Sequence, residues 1–335
     1  MTDPALLQVD GLSVDYLTPQ GSARACSDIS FTLRRGEILG VAGESGSGKS
    51  TLITALTRLQ RPPAVTSAGR IVYHPADGEP VDLVAQSERA LRRRRWRQLA
   101  IVMQSAMDCL NPVMRLGAQF TDVLRTHDPS LDRAAAWQRA GELVRMVGIA
   151  PDRLPAYPHE LSGGMRQRSL IALALACDPD LVVMDEPTTA VDVVMQRQIL
   201  AQVLRLRERF GFAVVFVTHD LSLLLELADR IAIMYAGRIV EIGSSADLYH
   251  RPKHPYTKGL RDSFPPLHAP LRELSGIPGS PPDLRDPLPG CAFGPRCPRA
   301  HAACEQAVPP LRTVEAQDVA CVLYDPQNPE ATAHA

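Results

Sequence analysis

The sequence has no apolar run long enough to cross a bilayer. Its longest, Leu170 to Cys177, falls far short of the ~20 residues that a transmembrane helix needs. The first residues, M-T-D-P-A-L-L-Q-V-D, have neither the basic start nor the apolar core of a signal peptide. A chain that stays in the cytosol is therefore expected, free to dock on a membrane protein. Net charge is also lacking. Lys and Arg number 36 and Asp and Glu 37, so the formal charge is -1 over 335 residues. That balance gives no bulk attraction to nucleic acid. The one basic run, Arg92 to Arg95 followed by Trp96 and Arg97, reads as a solvated helix face. No internal repeat is present. Close C-x2-4-C pairs are missing too, which weighs against a structural zinc site. Of the seven cysteines, Cys26, Cys109 and Cys177 are scattered and read as small core residues in a reducing compartment.

Hydrophobic residues make up 45% of the chain and charged residues 22%, enough for a packed core. Residues 5–42 read as short strands, and Ser50 to Leu59 as a helix. Further strands are expected over 70–84, turning at Asp77-Gly78. Residues 114–150 are helical in pattern, with Pro151 as a stop, and Leu161 to Cys177 reads as a long helix capped by Ser162. L-V-V-M-D-E-P at 181–187 and F-A-V-V-F-V-T-H at 212–219 read as buried strands, parted by a helix over Val193 to Phe210. A hairpin turning at Ala236-Gly237 follows. Strands alternating with helices predict a mostly parallel sheet covered on both faces, an α/β fold. After His250 the composition changes: residues 251–290 are proline-rich, which reads as a linker-like or loop-rich extension and not a continuing α/β core.

Gly43-x4-Gly48-Lys49-Ser50 matches the phosphate-binding P-loop. A triphosphate concentrates negative charge in a small volume. Consecutive backbone N–H groups at a helix N-terminus meet that charge without mobile side chains. The candidate loop residues are Gly43, Glu44, Ser45, Gly46, Ser47, Gly48, Lys49, Ser50 and Thr51, with Lys49 reaching the phosphates and Ser50 ligating Mg²⁺. Asp185 and Glu186 end a buried strand at the sheet edge where α/β folds bind ligands. Asp185 is expected to hold Mg²⁺, and Glu186 to orient or deprotonate the attacking water. His219 and Gln104 stand at two other strand ends. His219 suits a contact with the γ-phosphate or Glu186, and Gln104 a contact with Mg²⁺ and water.

L-S-G-G-M-R-Q-R at 161–168, together with the P-loop, Gln104, L-V-V-M-D-E-P and His219 in this order, resembles the ABC-type ATPases over about residues 5–250. The resemblance implies a RecA-like core sheet, an antiparallel β subdomain and a helical subdomain at about 106–165. The ATPase domain would occupy 1–250 and a Pro- and Cys-rich extension 251–335. It implies ATP and Mg²⁺ as ligands and Tyr16 as the aromatic that stacks on adenine. Ser162, Gly163 and Gly164 would close on ATP held by another subunit, and Asp192 would link the two sites. Met165 stands where Gln is commoner in the signature. One P-loop per chain then requires a second ATPase subunit. L-N-P-V-M-R-L-G, R-P-K-H-P-Y-T-K-G-L and G-C-A-F-G-P-R-C-P-R-A resemble the dipeptide/oligopeptide importer branch, which nickel importers share. That branch implies a related partner ATPase, two permeases and an extracytoplasmic binding protein, with this chain at the cytoplasmic face of the membrane. A non-transport ABC ATPase acting on nucleic acid is the other class, but heptads and a second P-loop are missing. A redox-sensing regulator with the tail as its active part is a third. Cys291, Cys297, Cys304 and Cys321 leave three readings open: a reduced metal-free tail, zinc, or a [4Fe–4S] cluster of the kind similar importer ATPases carry.

Overall fold

Strand Ile38–Ala42 is buried along its whole length. A five-residue apolar run with no polar face belongs in a sheet covered on both sides, and its backbone pairing shows that place. It runs parallel to Arg230–Tyr235, with Leu39 opposite Arg230 and Ala42 opposite Ile233. Asp229 secures its start: the Asp229 carboxylate accepts from Ile38 N at 2.8 Å, and Asp229 N donates to Ile38 O at 2.9 Å.

The computed structural model describes residues 4–19, 21–103, 109–187, 192–263, 276–286 and 288–326. The chain divides into two units. One comprises Met1–Leu7, Leu33–Glu37 and Tyr73–Val215; the other Gln8–Thr32, Ile38–Val72 and Phe216–Ala335. The chain passes between them within strand Ala213–Val217.

In the second unit, Ile38–Ala42 neighbours Arg230–Tyr235, then Arg238–Ser244, Gln317–Val319 and Arg312–Val314. Arg230–Tyr235 and Arg238–Ser244 form the expected hairpin. Ala236 (φ 48°) and Gly237 (φ 77°) both take the left-handed conformation that a two-residue turn requires. Gln317–Val319 pairs antiparallel with Arg238–Ser244, so the proline-rich tail ends by adding strands to this sheet. The long strands Gly21–Arg34, Ala5–Thr18 and Ala64–Tyr73 are neighbours in another sheet. Gly11 N donates to Ser30 Oγ and Asp28 N to Ser13 Oγ, and this descending register is antiparallel.

The first unit holds the parallel pair Leu99–Val102 and Leu181–Asp185, in register from Leu99–Leu181 to Val102–Met184. Its longer helices are Leu116–His127, Arg133–Met146, Gly163–Ala174 and Val193–Phe210. The helical stretch predicted over 114–150 is thus two helices. Asp132 caps the second by accepting from Ala135 N at 2.7 Å, which makes a break there more favourable than continuation. Leu116, Phe120 and Leu124 on the first helix and Ala136, Ala140, Leu143 and Val144 on the second are buried, at the spacing of two apolar helix faces. The long helix expected from Leu161 begins only at Gly163, because Ser162 caps it. Among the described residues, no helix is long and apolar enough to cross a membrane.

The tail segment after Arg251 is ordered by one buried carboxylate. Glu241, fully buried in strand Arg238–Ser244, accepts from Lys253 N at 2.7 Å and His254 N at 3.0 Å. Burial raises its pKa. His254, itself buried, caps helix Pro255–Asp262 by accepting from Tyr256 N at 3.1 Å. Burial depresses the His254 imidazole to about 3. The unfolded chain therefore binds a proton near pH 6.5 that the folded chain refuses. This contribution to stability is intact above pH 6.5 and lost as pH falls towards 3, with a slope of up to about 1.4 kcal/mol per pH unit. His254→Asn keeps a capping side chain but no titration. It is expected to lose about 2 kcal/mol less than the parent between pH 7 and 5 in urea unfolding; parallel losses would refute the assignment.

Candidate functional site

The loop after Ile38–Ala42 turns sharply at two glycines. Gly43 (φ 151°) faces the Met234 carbonyl so closely that a Cβ would lie 2.2 Å from its oxygen. Gly48 (φ 100°) N-caps helix Lys49–Leu56, and a Cβ there would lie 2.3 Å from Ala25 O. No other residue type fits either place. Gly237 N donates to Ser47 O at 3.0 Å, tying the hairpin turn to the loop. Lys49 is 8% exposed, and its ammonium donates to Gly43 O at 2.7 Å and Glu44 O at 2.9 Å. The lysine thus folds back over the loop, while Ser45, Gly46 and Ser50 are exposed at its rim. This is a cradle of backbone N–H groups at a helix N-terminus, with one cation laid across it, and it suits a polyphosphate.

Tyr16 and His219 come to the same unit. The Tyr16 hydroxyl lies 3.2 Å from Oγ1 of Thr51, the last residue of the loop. His219 lines a cavity of 240 Å³ together with Gly43, Glu44 and Ser45. It gets there because Thr218 N donates to Val41 O, the strand that leads into the loop.

In the other unit, Asp185 is buried at the end of strand Leu181–Asp185. Glu186 follows with φ 43°, a left-handed conformation that costs an L-residue roughly 1–2 kcal/mol. Strain of this kind collects at functional positions. Ser162 is exposed and caps helix Gly163–Ala174, its hydroxyl accepting from Met165 N at 3.2 Å. Gly164 lies beneath Met195, where a Cβ would meet the sulfur at 2.7 Å. Asp192, also exposed, caps helix Val193–Phe210 by accepting from Met195 N at 2.9 Å. Gln104 lies outside the described residues.

The family model of ABC transporters matches residues 26–189, and that of the oligopeptide/dipeptide transporter C-terminal region matches residues 240–304. A probable peptide ABC transporter ATP-binding protein of Sinorhizobium fredii is 42% identical over 314 residues, covering 92% of each chain. The chain belongs to the ATP-binding proteins of ABC transporters. Other relatives of this ABC protein are the dipeptide transport ATP-binding protein DppD of Caldanaerobacter subterraneus and the oligopeptide transport ATP-binding protein OppD of Bacillus subtilis. The first is 37% identical, covering 97% of this chain and 98% of the relative; the second is 42% identical, covering 91% and 85%. A solved dimeric ATP-binding cassette in a post-hydrolysis state bound to ADP and Pi has the same fold. Its TM-score is 0.63 at 23% identity, covering 72% of this chain and 99% of that one.

The four cysteines do share a neighbourhood. Burial raises the Cys291, Cys297 and Cys321 thiols, Cys321 to about 12, and the other cysteines add to each shift. Arg299 N donates to Cys297 Sγ at 3.4 Å, and Cys304 Sγ lies 3.6 Å from His301 Nδ1. An assembled four-thiolate metal site, however, is not found. Among the described residues, no group of three or more His, Cys, Asp or Glu side chains is placed to hold a metal ion.

Sequence reasoning missed Tyr256 and Arg296 altogether. Tyr256 OH accepts from Glu44 N at 2.9 Å, and Arg296 pairs with the Glu44 carboxylate. The H-P-Y and G-P-R-C-P runs were visible as family marks, but nothing local says what they touch. Lys49→Ala is expected to weaken ATP binding at least about tenfold while costing only about 1 kcal/mol of stability for its lost hydrogen bonds. Equilibrium nucleotide titration beside thermal unfolding checks this, and unchanged affinity would contradict the cradle.

Proposed function

We propose that this chain binds and hydrolyses ATP as one of two ATPase subunits of an importer for dipeptides or oligopeptides. The observation that carries the proposal is the loop of residues 43–51 built into the same unit as the oligopeptide/dipeptide-type C-terminal region. Peptide is favoured over nickel because the named relatives quoted above are peptide, dipeptide and oligopeptide proteins.

In this reading, residues 1–250 do the nucleotide chemistry. The loop amides from Gly43 to Thr51 receive the phosphates and Lys49 swings from its carbonyl contacts onto them. Tyr16 stacks on adenine. Ser50, Asp185 and Gln104 would hold Mg²⁺, which would neutralise phosphate charge. Glu186 takes the proton of the attacking water, and His219 steadies the terminal phosphate. Ser162, Gly163 and Gly164 offer a capped helix N-terminus to ATP on the second subunit. Asp192 links the two sites. We assign that subunit to a related but different chain. The region of about 106–165 grips the permeases. A binding protein delivers the peptide on the far side. Neither the charge balance nor the fold suggests nucleic acid as a partner.

We also propose the [4Fe–4S] cluster for Cys291, Cys297, Cys304 and Cys321. Its support is the donor set and the shared neighbourhood, not the sulfur spacing. Anaerobically purified protein is then expected to contain about four iron and four sulfide per chain; a colourless, iron-free protein would reject it.

Glu186→Gln is expected to bind ATP with near-parental affinity and to lose turnover by about 100-fold or more. In the complete importer with its binding protein, the parent's ATPase rate is expected to rise with added peptide and not with nickel. A Glu186→Gln enzyme at full speed would sink the base assignment, and nickel stimulation would sink the substrate class.

A further inference from the structure

Glu44 stands in the phosphate-binding loop, yet its side chain is held from the far end of the chain. Arg296 lies 252 residues later, and its guanidinium forms a bidentate pair with the Glu44 carboxylate. Nη1 donates to Oε2 at 2.8 Å and Nη2 to Oε1 at 3.0 Å. Every other donor of that group is also used. Nη1 reaches Tyr235 OH at 3.2 Å, Nη2 reaches Ile277 O at 3.4 Å, and Nε reaches Pro278 O at 2.7 Å. The guanidinium lies against the Tyr235 and Phe293 rings, and its side chain is only 7% exposed. A planar fork matched to a carboxylate fixes direction as well as distance, which a surface ion pair does not.

Three turns hold the arginine in place. Gly294 N donates to Cys291 O, Arg296 N to Phe293 O and Cys297 N to Gly294 O. Tyr256, on helix Pro255–Asp262, holds the Glu44 backbone from the same side. Glu44 O in turn receives the Lys49 ammonium. Residues beyond 250 thus grip Glu44 by side chain and backbone, one hydrogen bond away from the P-loop lysine. Leu260, Ser263 and Ile277 also wall the cavity that Gly43, Glu44, Ser45 and His219 line.

We propose that Arg296 is a positioning residue for the phosphate-binding loop: through Glu44 it holds the loop amides in the arrangement that receives a nucleoside triphosphate, and fixes the Glu44 carbonyl on which Lys49 rests beforehand. The inference rests on the P-loop reading of Proposed function. A loop that is already fixed gives up less conformational freedom on binding phosphate, so affinity is gained by preorganisation. The C-terminal region thereby sets how tightly the motor part holds ATP.

The test uses the full-length chain, with a fluorescent ATP analogue as the probe. Arg296→Met is expected to weaken affinity about fivefold or more, a typical coupling between distant parts of a site. Arg296→Lys, a point charge without the fork, is expected to fall between the two. Glu44→Gln is expected to weaken binding like Arg296→Met, and the double variant no more than either alone. In steady-state hydrolysis KM for ATP is expected to rise by a larger factor than kcat falls. A merely structural role would lower the active fraction, and so kcat, with KM unchanged. Affinity within twofold of the parent in Arg296→Met, or losses that simply add in the double variant, would overturn the proposal. If Arg296→Met does not fold, Arg296→Lys and Glu44→Gln with their double variant decide by the same criteria. Lys49→Ala separates the two levels: weakened binding there with unchanged binding in Arg296→Met rejects the positioning role alone, while unchanged binding in Lys49→Ala rejects the P-loop reading itself.

Discussion

The phosphate-binding loop is wedged between two backbone carbonyls, those of Met234 and Ala25, with no room for a side chain at Gly43 or Gly48. Those carbonyls come from the strand beside Ile38–Ala42 and from the long strand Gly21–Arg34. The loop's shape therefore depends on two sheets meeting it at van der Waals range. Because the amides are held by backbone packing, they need no reorganisation when an anion arrives. Lys49, parked on the carbonyls of Gly43 and Glu44, keeps its charge beside the hollow without leaving it unpaired.

A second constraint works from the tail. Glu241 is a carboxylate with no solvent, a costly arrangement unless its oxygens are satisfied. Two successive amides, of Lys253 and His254, satisfy it. That fixes where helix Pro255–Asp262 begins and so where Tyr256 points. The tail is not an appendage hung on the motor part by a linker. Its strand Gln317–Val319 extends the same sheet, and its Arg296 completes the surroundings of Glu44. One buried acid orders the segment that another acid, Glu44, then uses.

In the other unit, two of the candidate site residues are helix caps. Ser162 and Asp192 each stop a helix from extending backwards and each leave a helix N-terminus at the surface. Ser162 Oγ takes one amide, Met165 N, so the remaining first-turn amides keep their capacity for an anion. Glu186 is held in a left-handed conformation immediately after a buried strand.

Much of this was legible in the sequence, because it depends on local spacing. The P-loop, the strand ending at Asp185, the caps at Ser162 and Asp192 and the hairpin at Ala236-Gly237 all follow from residue types within a few positions of one another. The split of 114–150 into two helices was missed although its signals are local: Pro129 cannot continue the first helix and Asp132 caps the second. Other features are set by partners distant in the chain. No local rule pairs Arg296 with Glu44, seats Tyr256 under the loop, or buries Glu241. Nor does cysteine spacing say how four sulfurs sit: they share a neighbourhood without ligating spacing among the described residues. The sequence alone determined which groups could meet a phosphate. Only the tertiary structure decided what holds those groups in place, because burial and the directional bonds that satisfy it exist only once distant segments have packed together.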